Sequence, residues 1–153
     1  MATTAAFYGL AIQKMVSGTI SLTAGDTLAV MLVGNGYTVN QDTDAFRSIA
    51  TTFEVAQGGA NSGYTTGGTT LAAVTVTYDA ATNQVRWDHT DPFWVGSFSA
   101  SKMIWYKKRG GAATADEVIM WADFGGDQTV TNGTFTYQVP ATGTGVITVG
   151  TLE

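Results

Sequence analysis

The chain of 153 residues has no cysteine, two prolines and one histidine, and only 12% of it is charged. Without cysteine there is neither a disulfide nor a thiolate metal site, which fits a protein that matures in a reducing cytoplasm. Zinc would have only His89 to bind, so no structural metal is expected. The charged share is about half that of an ordinary domain, so the exterior repels its neighbours weakly. A net charge of −5 and a pI near 4.6 argue against a nucleic-acid partner that is held through its phosphates. No apolar run approaches the length of a bilayer span, and no membrane partner is expected. "MATTAAFYGLAIQKMVSG" lacks a basic leader and does not read as an export signal. No long unit repeats, which excludes a solenoid or a propeller.

What remains is rich in glycine, with 19 residues, and in threonine, and from Asp26 onward it reads as strand and turn. "TLAVMLVG" is a nearly continuous apolar run, as in a strand covered on both faces. A long loop follows, with one helical turn predicted at 45–48 and a short strand at 53–56. "QGGANSGYTTGGTT" then supplies a glycine-rich connection. Val74, Val76 and Tyr78 alternate with threonines, the chain turns at "DAATN", and Val85, Trp87 and His89 alternate with charged residues. That is a hairpin with one dry and one wet face. Further strands are predicted at 93–95, 99–107, 118–124, 134–139 and 146–152, about nine in all. The fold class expected is all-β, an antiparallel two-sheet sandwich over 26–153. Ahead of it, 1–25 forms an N-terminal helix or arm packed on the domain or on a neighbour. Tyr8, Ala11, Ile12 and Met15 mark its helical stripe and Gly18 its end.

Catalytic signatures are missing one by one. Asp123-Phe124-Gly125 matches the metal-binding triplet of protein kinases, but no Gly-rich strand pair, lysine strand or His-Arg-Asp loop accompanies it. The stretch reads as a tight turn, with Asn132-Gly133 launching the strand 134–139. There is no Gly-x-Ser-x-Gly elbow, and a lone His89 on a half-buried strand reads as a packed residue. The acids sit mostly in turns, and neither Glu54 nor Glu117 lies in a motif that pairs it with another carboxylate for glycoside hydrolysis. Asp42 and Asp44 begin like a calcium loop, without the glycine and glutamate an EF-hand requires. "GGANSGYTTGG" lacks the lysine of a phosphate cradle. Asn132-Gly133-Thr134 matches a glycosylation acceptor, yet the turn already accounts for those letters. Neither catalytic residues nor a cofactor are predicted.

The aromatic residues are more informative. Phe93 and Trp94 stand adjacent after Pro92, and "MIWYKK" is apolar on both faces of one strand. A sandwich strand meets the core on one face only, so Trp105 or Tyr106 should lie on a surface that something covers, such as a second copy of the chain. Lys107, Lys108 and Arg109 read as a solvated strand end, or as a docking patch for an acidic partner.

The segments "SGTISLTAGDTLAVMLVGNGYTVNQDT", "GYTTGGTTLAAVTVTYDAATNQVRWD", "KMIWYKK" and "ADFGGDQTVTNGTFTYQVPATG", in that order, resemble tailed-bacteriophage virion proteins of the head-decoration, or cement, type. The most specific marks are Gly63-Tyr64-Thr65-Thr66-Gly67-Gly68 and Asp123-Phe124-Gly125-Gly126. One departure falls at Asp42-Thr43-Asp44, where the family pattern has His in the third place. The resemblance implies a jelly-roll-like sandwich on the outer capsid surface, assembled in the host cytoplasm and bridging neighbouring major capsid subunits. Proteins of this shape also serve in tails and fibres.

The function expected is therefore a non-enzymatic, homodimeric or homotrimeric cement protein that works by avidity. Its contact residues would be Phe7, Tyr8, Phe93, Trp94, Trp105 and Tyr106, with Lys107, Lys108 and Arg109 guiding it to an acidic shell. A reading of another class is a carbohydrate-binding sandwich that uses Trp94 and Trp105 as sugar-stacking platforms.

Overall fold

All six residues of strand β2, Leu28–Val33, are buried, as its unbroken apolar run requires. The computed structural model describes residues 3–23, 25–57 and 63–148. Within them β1 (Thr4–Phe7), helix α1 (Gly9–Val16) and β2 are followed by two 3-10 turns, Arg47–Ile49 and Thr51–Phe53. Then come β3 (Thr69–Thr70), β4 (Thr75–Asp79), β5 (Gln84–Asp88), β6 (Phe93–Lys107), β7 (Val118–Thr136) and β8 (Gly145–Thr148). One sheet has the order β1-β7-β6-β2-β3 and the other β4-β5-β8, with every pairing antiparallel. The chain is an all-β, two-sheet sandwich with one short helix.

Two cores lie on opposite faces of the larger sheet. Met103 and Trp105 point toward the smaller sheet and pack with Trp87, Trp94 and Phe124. Ile104 and Tyr106 point the other way, into a cluster with Tyr8, Ala11, Tyr37 and Ala50. The surface predicted beneath Trp105 or Tyr106 is thus covered by α1 and the 37–50 segment of the same chain. A second copy is not needed to bury either ring, because the apolar run at 103–106 is the middle of a three-layer arrangement. Residues 4–7, read as part of a helix or arm, instead form an edge strand, with Ala6 opposite Trp121 and Phe7 opposite Met120. Helix α1 follows from Tyr8 and ends where expected. Gly18 adopts φ +77°, and the amides of Gly18 and Thr19 reach back to the carbonyls of Met15 and Lys14. This is a Schellman closure, which favours glycine.

The predicted strand at 53–56 is a 3-10 turn followed by a single bridge between Val33 and Glu54. The helical turn expected at 45–48 is present one or two residues later, at Arg47–Ile49. The hairpin is β4–β5, with Val76 opposite Trp87 and Tyr78 opposite Val85. The final strand is described as β8, and residues 149–152 of its predicted span lie outside the described residues.

Four predicted strands merge into two. Segments 93–95 and 99–107 are both β6, and 118–124 and 134–139 largely coincide with β7, which bulges three times against β6. Asp123-Phe124-Gly125 is therefore not a tight turn. It opens the largest bulge, where β6 advances from Ala100 to Lys102 while β7 covers Asp123 to Gln128. Asp123 Oδ1 accepts the Gly125 N–H at 2.8 Å, Gly125 and Gly126 take φ +76° and +151°, and Phe124 turns into the core. Asn132 likewise sits at a bulge with φ +47° instead of launching a new strand.

The Gly63-to-Gly68 motif is a clamp. The Tyr64 hydroxyl donates to Glu54 Oε1 at 2.7 Å and accepts the Leu32 N–H at 3.1 Å, which β3 is too short to pair. Gly67 donates its N–H to Glu54, and its carbonyl accepts the Tyr106 hydroxyl at 2.7 Å. A Cβ at Gly68, where φ is +68°, would stand 1.9 Å from the Val30 carbonyl oxygen, whereas one at Gly110, φ +79°, would meet nothing within 4 Å. Gly68→Ala is expected to cost about 3 kcal/mol or more in urea unfolding, and Gly110→Ala about 1 kcal/mol. Equal losses would show that contact with β2 does not matter.

Candidate interaction surface

Strand alternation separates Phe93 from Trp94. Trp94 points into the core, its ring centroid 6.3 Å from Tyr64 and 6.1 Å from Phe135. Phe93 and Val95 point outward, 60% and 55% exposed, because α1 and the 37–50 segment do not extend over this end of β6. Of the six aromatic residues expected at a contact surface, Phe93 alone is available to a partner.

The other five are buried in the chain's own core. Phe7 packs on Trp87 at 6.2 Å. Tyr8 shares a 2.9 Å hydrogen bond with Tyr37, whose hydroxyl donates to Asp44 at 2.7 Å. Burial raises the Tyr8 and Tyr37 hydroxyls well above the ordinary tyrosine range. Tyr106 lies under the Arg47 guanidinium, 4.9 Å from its ring centre, and burial pushes its hydroxyl up to about 12. Trp94 and Trp105 expose no ring face on which a sugar could stack, so the carbohydrate reading based on them is corrected.

The basic run is mostly neutralised within the chain. Lys107 Nζ lies 2.8 Å from Asp26 Oδ2, and Arg109 makes a two-pronged pair with Glu117 at 2.8 and 2.7 Å. Burial, the largest single influence, raises both carboxyls, but the hydrogen bonds from these cations, backbone N–H donors and the attraction of nearby positive charge together hold them below their usual values. Only Lys108 is left exposed and without an ion-pair partner among the described residues. The electrostatic guide expected of three cations is reduced to one.

Among the exposed apolar residues that sequence reasoning missed, three lie on strands β4 and β6. Val95 follows from the same alternation as Phe93. Val76 and Tyr78 lie on the face of the small sheet that carries Trp87, yet are 39% and 58% exposed. The row Tyr78–Val85–Ile147 across β4, β5 and β8 is the next one along from buried Trp87. The hairpin thus overhangs its own core, which alternation alone does not reveal.

Titratable clusters are sparse. Among the described residues no three His, Cys, Asp or Glu side chains gather as metal ligands, and Asp44 is occupied by Tyr37 and the Asn40 N–H. No helix among them is long and apolar enough to cross a membrane. His89 has both ring nitrogens engaged: Nε2 accepts the Trp105 indole N–H at 2.9 Å, so Nδ1 carries the proton and donates to the Thr90 carbonyl at 2.8 Å. Comparison with family models, curated proteins and solved structures gives no match to this chain.

Burial holds the His89 imidazole below its ordinary 6.5. The unfolded chain therefore takes up a proton, as pH falls through that value, that the folded chain resists. The stability tied to His89 is complete above about pH 6.5 and declines as pH drops toward the depressed folded value. His89→Asn should lose roughly 1–2 kcal/mol at pH 8, where Trp105 is deprived of its acceptor. It should also lose less stability than the parent between pH 7 and 5. An unchanged acid slope, followed by denaturant titration at each pH, would remove His89 from this role.

Proposed function

We propose that this chain is a non-enzymatic virion structural protein of the head-decoration type, which sits on the outer surface of a capsid as a homo-oligomer and bridges neighbouring major capsid subunits. The observation that carries the reading is the exposed pair Phe93 and Val95 on a two-stranded extension of the main sheet. Large exposed apolar side chains held on a hydrogen-bonded strand suit a protein contact. The ordered motifs that resemble cement proteins support the same reading, as does an exterior with few charges.

The contact set differs from the one expected. Phe93 and Val95 form one patch on the large sheet, and Val76 and Tyr78 form another on the small sheet. Two patches on different sheets allow one copy to touch more than one neighbour, and Lys108 adds a single exposed cation. Each patch alone is weak, and a ring of copies multiplies them through effective concentration.

The test is co-sedimentation with shells of the phage that encodes the chain, with light scattering of the free protein. Wild-type chain should be an oligomer and should bind shells saturably. A Phe93→Asp, Val95→Asp double variant should keep its melting temperature and lose affinity by about tenfold or more, the size expected for two central apolar contacts. Failure of the wild type to bind, or binding unaffected by the variant, would contradict the proposal.

A further inference from the structure

Three of the four tryptophans, Trp87, Trp94 and Trp105, are enclosed, and Trp121 is not. Register explains its position. Trp121 stands between Ile104 of β6 and Ala6 of β1, and two residues further along β7 Asp123 stands between Lys102 and Thr4. Trp121, Asp123 and Lys102 therefore share the face that α1 and the 37–50 segment cover elsewhere. Here they instead line an open cleft of about 400 Å³, with Asn35, Tyr37, Thr38, Val39 and Gln41 on its other wall.

The bulge that follows Asp123 shapes this cleft. Its extra residues turn Phe124 into the core and bring Asp127 Oδ2 to within 3.4 Å of Asn35 Nδ2, which ties the bulge to the facing loop. Bulges beside a site commonly re-aim side chains in this way. Asp123 Oδ2 is 3.4 Å from Lys102 Nζ, a loose pair, and its side chain stays 34% exposed. Asn35, Thr38 and Gln41 are also exposed. The Trp121 Nε1 is buried and unpartnered, so the part of the indole that meets the cleft is carbon.

We infer that this cleft is a binding subsite for one or two rings of a neutral saccharide. Apolar carbon on a partly exposed indole meets the C–H face of a pyranose, while two amides, a hydroxyl, an ammonium and a carboxylate are placed to exchange hydrogen bonds with ring hydroxyls. The other small-molecule classes fit less well. A phosphate-bearing ligand would find one cation, already facing Asp123, on a chain of net charge −5. An apolar ligand would leave the Lys102 ammonium, the Asp123 carboxylate and the Asn35 and Gln41 amides facing it without partners. The volume is at the small end for ligand sites, in keeping with one or two rings. The site does not depend on the assembly reading, and shell binding neither requires nor excludes it.

Because Trp121 is the accessible tryptophan, acrylamide quenching of the intact chain reports on this cleft. The probes are methyl glucoside, methyl galactoside, methyl mannoside, N-acetylglucosamine, maltose and cellobiose. At least one should protect the fluorescence saturably, with a dissociation constant on the order of 1 mM, as an open site with few contacts permits. The same sugar should shift amide resonances in 35–41 and 121–123. A Thr38→Ala, Gln41→Ala double variant, altered only at exposed loop residues, should keep its melting temperature and weaken binding fivefold or more. Trp121→Phe, which retains an apolar ring against the second core, should remove the protection signal and also weaken the resonance shifts. No saturable response from any of the six sugars, or binding unchanged in the double variant, would overturn the inference.

Discussion

The structure depends on the burial of β2 and the 103–106 segment of β6 on both faces. Two adjacent strands with apolar side chains above and below need two covers. The smaller sheet is one, and α1 with the 37–50 segment is the other. The side chains enclosed this way include Trp105, Tyr106, Met31 and Leu32, none more than 1% exposed. Truncating a large member of such a core costs several kcal/mol, about 3–5 for a tryptophan. Backbone polar groups at the rim of this core are matched individually, as where Tyr64 closes the Leu32 amide and Glu54 holds Tyr64.

The same demand explains the sparse exterior charge. Of seven cationic side chains, Arg47, Arg86, Lys102, Lys107 and Arg109 face carboxylates within the chain, and Lys14 stands 4.3 Å above the Phe46 ring. Arg47 with Asp116 fastens the 37–50 segment to the residues just before β7, and Arg109 with Glu117 closes the β6–β7 connection on itself. Charges used to hold the scaffold are not free to keep copies apart. Weak repulsion and uncovered apolar residues on two sheets are thus two results of one economy of composition.

Much of the fold was legible in the sequence. The β4–β5 hairpin, the buried β2 and the glycine stop after α1 each announce themselves by local period or turn chemistry, and the all-β class follows from them. The bulged β6–β7 pair was not legible, because Gly125, Gly126 and Asn132 signal positive φ equally well in a turn and in a bulge. Strand β1 is four residues long and is separated from helix α1 by Tyr8 alone, too short a run for its own alternation to show. The site was harder still. Adjacent aromatics at 93–94 and 105–106 look alike in sequence, yet the first pair has one exposed face and the second has none. What differs is the reach of the second cover, a tertiary fact set by residues some sixty positions away. Trp121 carried no local signal, since an apolar residue among Ile119, Met120 and Ala122 reads as core.

The central claim is that the chain closes both faces of its main sheet without help. Amide hydrogen exchange followed at low micromolar and at near-millimolar concentration tests it most directly. If the claim holds, β2 and residues 103–106 are among the slowest-exchanging segments, with the same rates at both concentrations. Protection of Ile104 and Tyr106 that appears only in the concentrated sample would mean that another copy supplies the second cover, and would contradict the account.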